Sequence, residues 1–291
     1  MKATVKNALD GSETTPSIQV EKKLKIAISI AQSFSINLTY RLAKKYFFSP
    51  IKFEMPERES HFKHSSIISR EIVDDKSITV YHNGTGKKSI LLVHGWSGRA
   101  TQYYKMGPAL VKAGYKIYAF TAPAHGTSKE KQTHMLEFAD CIQFLDKKYG
   151  PFEAIIAHSI GGAATLNSLN RGVKTNKVVL LGTPGYIKDI IYGFCNRLGL
   201  NLKIADKLIA DLKKDYAEDY EQFSTTRLAE KMTTPALIIH DSEDKDVPVE
   251  FARENHHAYK NSKYIETNGL GHRLILSNDE VINQVIDFIK G

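Results

Sequence analysis

Ala154-Ile155-Ile156-Ala157-His158-Ser159-Ile160-Gly161-Gly162 decides how the rest of the chain is read. An apolar run, Ala154 to Ala157, leads straight into a serine with small neighbours. Behind it Ala163, Ala164, Leu166 and Leu169 recur at helical spacing. A serine between a strand and a helix sits on a tight, strained turn. That turn lifts its hydroxyl off the sheet and aims the next backbone N–H groups at whatever the hydroxyl attacks. Small residues are needed there because strand and helix pass close together. The plainer reading is an ordinary strand-to-helix turn with serine as a helix cap. Other stretches decide between the two.

The chain has 291 residues, enough to bury one large α/β core. With 42% hydrophobic and 25% charged residues, its composition is that of an ordinary globular protein. Two cysteines, Cys141 and Cys195, are too few for a disulfide framework and have no metal-ligand spacing. We read them as free thiols in a reducing compartment, which makes the protein cytoplasmic. The net charge is +8, but residues 1–64 carry 11 Lys/Arg against 6 Asp/Glu and the other 227 carry 29 against 26. The basic excess is thus concentrated in the leader, the body is nearly balanced, and no nucleic-acid module is present.

Residues 1–20 are polar and read as mobile. From Glu21 to Phe48, Leu24, Ile28, Ala31, Ser35, Leu38 and Leu42 recur at three- and four-residue steps, which predicts one helix. Its uncharged core, Ile26 to Tyr40, is shorter than the roughly 18–20 residues that span a bilayer. The long polar segment before it argues against a signal peptide. Two readings stay open. The helix packs on the main domain, or it lies on a membrane surface with Arg41, Lys44 and Lys45 making a weak contact. Residues 51–64, with His61 and His64 among mixed charges, read as a loop. We therefore divide the chain into a leader, 1–64, and a body, 65–291.

In the body, Ile67–Val73 and Ser77–His82 read as an antiparallel strand pair around Asp74-Asp75-Lys76. Ser89–Val93 is continuously apolar, as a fully buried strand should be, and empties into His94-Gly95-Trp96-Ser97-Gly98. A helix over Thr101–Lys112, a strand over Tyr115–Phe120 and a helix over Lys131–Lys148 follow. The serine strand and helix come next, then a strand over Lys177–Leu181. Such alternation implies a mostly parallel, doubly wound sheet with helices on both faces. The rhythm breaks over 185–232, where helical pieces (Lys188–Arg197, Leu202–Leu212, Tyr216–Phe223) appear without a strand. A helical insertion at that point is placed to act as a lid. The sheet resumes with Ala236–His240, followed by Asp241, Asp244 and Asp246, then a helix over Val249–Tyr259 and a strand over Lys263–Thr267. Asn268-Gly269-Leu270-Gly271-His272 and a last helix, Asp279–Lys290, close the chain.

A strand-borne serine, then an aspartate after a late strand, then a histidine in a glycine-flanked loop is an ordered set. On these stretches, residues 66–291 resemble the α/β-hydrolase superfamily. Ala157 stands where its members more often have glycine. In Thr121-Ala122-Pro123-Ala124-His125-Gly126-Thr127-Ser128, Thr121 and Ala124 depart from the common Asp-x-Pro-Gly-His-Gly-x-Ser loop. The resemblance implies a triad of Ser159, Asp244 and His272, with Asp244 preferred to Asp241 and Asp246 by its distance before Val247-Pro248. It implies an oxyanion hole from the N–H groups of Trp96 and Ile160, supported by His94, Gly95, His158 and Gly161. The implied activity is hydrolysis of a small-molecule acyl substrate, an ester or thioester first and an amide or peptide second, with neither metal nor organic cofactor. A different class, a hydrolase-fold binding or signalling protein with little turnover, uses the same fold.

Overall fold

A computed structural model describes residues 22–291. The expectation of a mobile segment over 1–20 and of a helix beginning at Glu21 lies outside the described residues. The chain opens on α1 (Lys22–Phe34) and α2 (Ile36–Phe47), then turns through Glu57–Glu59 into α3 (Ser60–His64). Three strands follow, β1 (Ile67–Val73), β2 (Lys76–Asn83) and β3 (Ser89–Val93), and then α4 (Met106–Lys112). From there β4 (Lys116–Thr121), α5 (Met135–Tyr149), β5 (Phe152–His158), α6 (Ile160–Asn170) and β6 (Thr175–Leu181) alternate. The insertion holds α7 (Ile187–Leu198), α8 (Leu202–Asp215) and α9 (Thr225–Ala229). The last part runs β7 (Ala236–Asp241), α10 (Glu250–Ala258), β8 (Ser262–Thr267), α11 (Gly271–Leu274) and α12 (Asp279–Lys290).

The eight strands form one sheet in the order β1-β2-β4-β3-β5-β6-β7-β8. β1, β2 and β4 pair antiparallel, and every pair from β4–β3 to β7–β8 is parallel. The doubly wound expectation holds, and the two-residue period of each strand explains it. Leu91, Val93, Ile155, Ala157, Val178 and Leu180 face one layer, with Phe138, Ile142 and Leu145 of α5 and Leu166 of α6. Their strand neighbours Ile90, Leu92, Ile156, Val179 and Leu181 face the other, with Met106 and Leu110 of α4 and Val285 and Ile289 of α12. Because both faces are covered, these strands carry no polar alternation.

Several sequence expectations need correction. The single helix over 21–48 is two, because Ser35 adopts an extended backbone (φ −159°) and its hydroxyl accepts the Leu38 N–H at 3.2 Å, capping α2. Residues 51–64 are no loop: α3 buries Phe62 in the α4-side core, against Gly107, where any β-carbon would lie 2.5 Å from the ring. The helix read over 131–148 begins only at Met135, because His134 before it is extended (φ −147°, ψ 168°), and the Thr133 N–H donates to the Phe48 carbonyl (2.9 Å). The helix read over 101–112 is interrupted between a 3-10 turn, Ala100–Tyr103, and α4. The piece read over 216–223 is a 3-10 turn, Tyr220–Phe223, followed by α9.

A third apolar cluster stands apart from the two sheet layers. Ala43 of α2 packs with Ile191 and Cys195 of α7, Leu200, and Ile204, Ala205 and Leu208 of α8; Ile28, Ile36, Tyr40 and Phe47 border it. The leader helices and the insertion therefore share one small core. Tyr40 and Lys44 both reach Asp211 of α8, and Phe47 meets Phe194 of α7 edge to face at 5.1 Å.

Candidate active site

Parallel pairing brings the ends of β3, β4, β5, β6 and β7 to one edge of the sheet, and the loops bearing the candidate residues leave from there. Ser159 follows β5 directly and has φ 52° and ψ −128°. A non-glycine residue in that region costs about 1–3 kcal/mol and is held there only by its surroundings. Here the Ser159 N–H donates to the Leu181 carbonyl (2.8 Å), and its own carbonyl accepts the Gly162 N–H (2.9 Å). A β-carbon at Gly161 would lie 2.6 Å from the His94 carbonyl oxygen, and one at Gly95 would lie 2.8 Å from Ser159 Cβ. Glycine at both positions is what lets the 94–98 loop and α6 close on the serine, which is only 8% exposed.

Trp96 and Ile160 present backbone N–H groups on either side of that serine in sequence space. Among the described residues neither finds an acceptor. Ile160 opens α6, so its N–H is one of the helix's unpaired donors and lies at the positive end of the helix dipole.

Two buried histidines fix the loops around them. His94 Nε2 accepts the Ala122 N–H (3.0 Å), so its proton is on Nδ1, which donates to the Gly95 carbonyl (2.7 Å). His125 Nε2 accepts the Ser97 N–H (3.0 Å) and its Nδ1 donates to the Pro123 carbonyl (2.9 Å). Burial keeps both neutral, His94 well below its ordinary range and His125 down to about 4. Ser97 in turn accepts the Ile51 N–H (2.9 Å), and Arg99 donates to the Phe53 carbonyl (2.8 Å). The residues after α2 are thus tied to the loop that carries Trp96.

His272 sits on the one-turn helix α11, and its Nδ1 lies 2.7 Å from Asp244 Oδ2. Its other nitrogen, Nε2, is on the opposite edge of the ring. Asp244 is fully engaged: Oδ1 accepts the N–H groups of Asp246 and Val247, both at 2.8 Å, and Oδ2 also lies 3.2 Å from Nε2 of His240. Burial alone would raise this carboxyl. The bonds from His240 and His272 and the Val247 N–H outweigh it and hold Asp244 far below the usual carboxylate range. The sequence offered no signal for His240, which reads as the last polar residue of an apolar strand. It is fully buried, with Nε2 also 2.9 Å from the Val247 carbonyl.

Neighbouring groups place the His272 loop. His158 Nε2 donates to the His272 carbonyl (2.7 Å), and the two rings lie 4.5 Å apart. Burial, first, and the neighbouring His272 hold His158 neutral. Asp241 accepts the N–H groups of Leu270 (3.0 Å) and Gly271 (2.8 Å), so it shapes the loop. Asp246 instead faces two arginines, Arg197 of α7 at 3.2 Å and Arg273 at 3.7 Å. Gly182 closes the set: a β-carbon there would come 3.3 Å from His272 Nδ1 and 3.5 Å from Asp244 Oδ2. Leu181, which receives the Ser159 N–H, is the residue before it. The turn that carries Ser159 and the histidine–aspartate pair thus both border the end of β6, and among the described residues no hydrogen bond joins the Ser159 hydroxyl to His272. Among the described residues, no three His, Cys, Asp or Glu side chains are grouped to hold a metal ion.

Residues 90–198 match the family model described as "Alpha/beta hydrolase family", and residues 216–290 match that described as "TAP-like protein". The chain is 26% identical over 270 residues to the uncharacterized hydrolase YugF of Bacillus subtilis (strain 168), covering 77% of this chain and 98% of that protein. Among solved structures, it is similar to the esterase EaEST from Exiguobacterium antarcticum, with TM-score 0.62 and 18% identity over 77% of this chain and 100% of that one. It is also similar to the Pyrococcus furiosus esterase Pf2001, with TM-score 0.63 and 18% identity over 84% and 97%. At these identities the structural likeness establishes the fold.

Proposed function

We propose that the chain is a member of the α/β-hydrolase superfamily, a serine hydrolase cleaving a carboxylic ester or thioester through an acyl-enzyme. The observation that carries this reading is the His272 Nδ1–Asp244 contact of 2.7 Å beside a serine held at φ 52°. An ionised carboxylate at Nδ1 keeps the proton on that nitrogen and leaves Nε2 basic. Nε2 takes the Ser159 hydroxyl proton as the oxygen attacks the acyl carbon. The N–H groups of Trp96 and Ile160 stabilise the resulting oxyanion, and losing one such donor typically costs about 10²–10³ in rate. The intermediate collapses as protonated His272 hands its proton to the departing alcohol or thiol. A water, deprotonated by the same nitrogen, then releases the acid and restores Ser159. His94, Gly95, His158 and Gly161 hold the loops in which these groups sit. The esterases among the structural neighbours support an ester over an amide.

In the same reading α7 and α8 cover the site. The contact of Arg197 with Asp246, two residues beyond Asp244, supports this, because it ties the end of α7 to the loop at the end of β7. The test is turnover of nitrophenyl esters and acyl thioesters of graded chain length by the purified chain and by Ser159→Ala, with mass spectrometry of the quenched enzyme. Turnover lost in the variant, and an acyl adduct on Ser159 in the wild type, are expected. Binding of the same compounds without turnover would replace the hydrolase by a ligand-binding protein.

A further inference from the structure

The leader helices α1 and α2 bury one face against α7 and α8 and leave another uncovered. Ile26, Ile30, Phe34, Leu38, Leu42 and Tyr46 follow one another at four-residue steps across both helices, and each is 47–86% exposed. Residues four apart share a helix face, so Ile26, Ile30 and Phe34 make one row on α1 and Leu38, Leu42 and Tyr46 another on α2, and Ile51 and Phe53, also exposed, follow them. So many large apolar side chains exposed on two consecutive helices mark a place where something docks.

Charge says what docks. Between Lys22 and Phe53 the sequence has seven Lys/Arg (22, 23, 25, 41, 44, 45 and 52) and no Asp or Glu. Lys44 is bound to Asp211, and Lys52 donates to the Ser128 and Glu130 carbonyls. Lys25, Arg41 and Lys45 are exposed and, among the described residues, have no ion pair. Arg41 and Lys45 lie three residues after Leu38 and Leu42, so they flank the α2 row, and Lys25 stands next to Ile26 on α1. A second copy of the chain would bring these cations together, which disfavours self-association through the apolar rows. Among the described residues no helix is long and apolar enough to cross a bilayer. Apolar rows beside unpaired cations, on helices too short to span, fit the plane of an anionic bilayer.

We infer that the α1–α2 face is a docking surface for anionic lipid headgroups, with the apolar rows seated among the acyl chains. The helices share their buried face with α7 and α8, so docking sets those helices at the membrane surface. The test is flotation of the full chain with phosphatidylcholine vesicles, with and without phosphatidylglycerol. Flotation is expected only with phosphatidylglycerol present, and salt reverses it. Phe34→Ser with Leu38→Ser lowers the vesicle-bound fraction about tenfold or more, and Arg41→Gln with Lys45→Gln by a similar factor. Because all four side chains face solvent, thermal unfolding of both variants matches the wild type. The inference is overturned if the chain stays out of the vesicle fraction, or if the Phe34/Leu38 variant floats as well as the wild type. It is equally overturned if the wild type is a dimer in solution that those two substitutions convert to a monomer, which would make a second copy the occupant.

Discussion

At Asp244 every acceptor position is taken, by two backbone N–H groups on one oxygen and two histidines on the other. A carboxylate so held orients one imidazole tautomer, and an amide in its place presents the wrong group to Nδ1. Asp244→Asn is expected to lower kcat about 10⁴-fold with the fold intact. Asp246→Asn, which loses only arginine contacts, should lower it less than about tenfold. Ester kinetics on both variants decide the matter, and the reverse order would move the acid to Asp246. His240→Ala removes one of Asp244's two imidazole partners and should fall between them. The distinction among the three aspartates is partly legible in sequence, from the distance to Val247-Pro248. The role of His240 is not, because nothing local shows that the end of β7 points a side chain into the loop that follows it.

Elements behave less locally than motifs do. Each buried strand is legible because an apolar run between turn residues has few alternatives. The leader is not, because its partners lie more than a hundred residues away in the chain. Periodicity alone reads α1 and α2 as one helix, and only the Ser35 cap and the packing on α7 and α8 separate them. Phe62 makes the same point, since a loop by composition supplies one of the largest fully buried side chains. Phe62→Ala should destabilise the whole body by about 3–5 kcal/mol, read as a lower denaturant midpoint at unchanged slope. A loss below about 1 kcal/mol would return residues 57–64 to the status of an appendage. On the other side of the site, Arg197→Ala frees the end of α7 from the β7 loop. If α7 closes the site, an active-site probe should react faster with this variant, whereas an unchanged rate would remove α7 from the lid.

Across the whole molecule, His94, His125 and His158 are buried and neutral. A histidine that titrates near 6.5 when unfolded and about 4 when folded binds its proton more readily in the unfolded chain. Stability is therefore full above pH 6.5 and falls as pH drops from 6.5 toward 4. His125 alone accounts for a loss of about 3 kcal/mol across that window. Asp244, whose folded pKa is depressed, adds a further loss below the ordinary carboxylate range as its proton returns. The melting temperature should drop steadily below pH 6.5, and less steeply in His125→Gln, which still accepts the Ser97 N–H without titrating. A flat profile between pH 6.5 and 4.5 would mean these rings are not buried neutral.

The mostly parallel sheet and both of its covered faces follow from apolar runs and crossover helices, whereas the strand order, with β4 between β2 and β3, is set by packing. The meeting of loops at one edge was accessible only in order along the chain, because the distances between them are set by packing. The central claim concerns the serine at that edge. The most direct measurement is reaction of the purified protein with a fluorophosphonate probe, with the labelled peptide identified by mass spectrometry. We expect one adduct, on Ser159, absent from Ser159→Ala and strongly reduced in His272→Ala. A folded wild type that takes no label, or takes it on a residue other than Ser159, would contradict the assignment of Ser159 as an activated nucleophile.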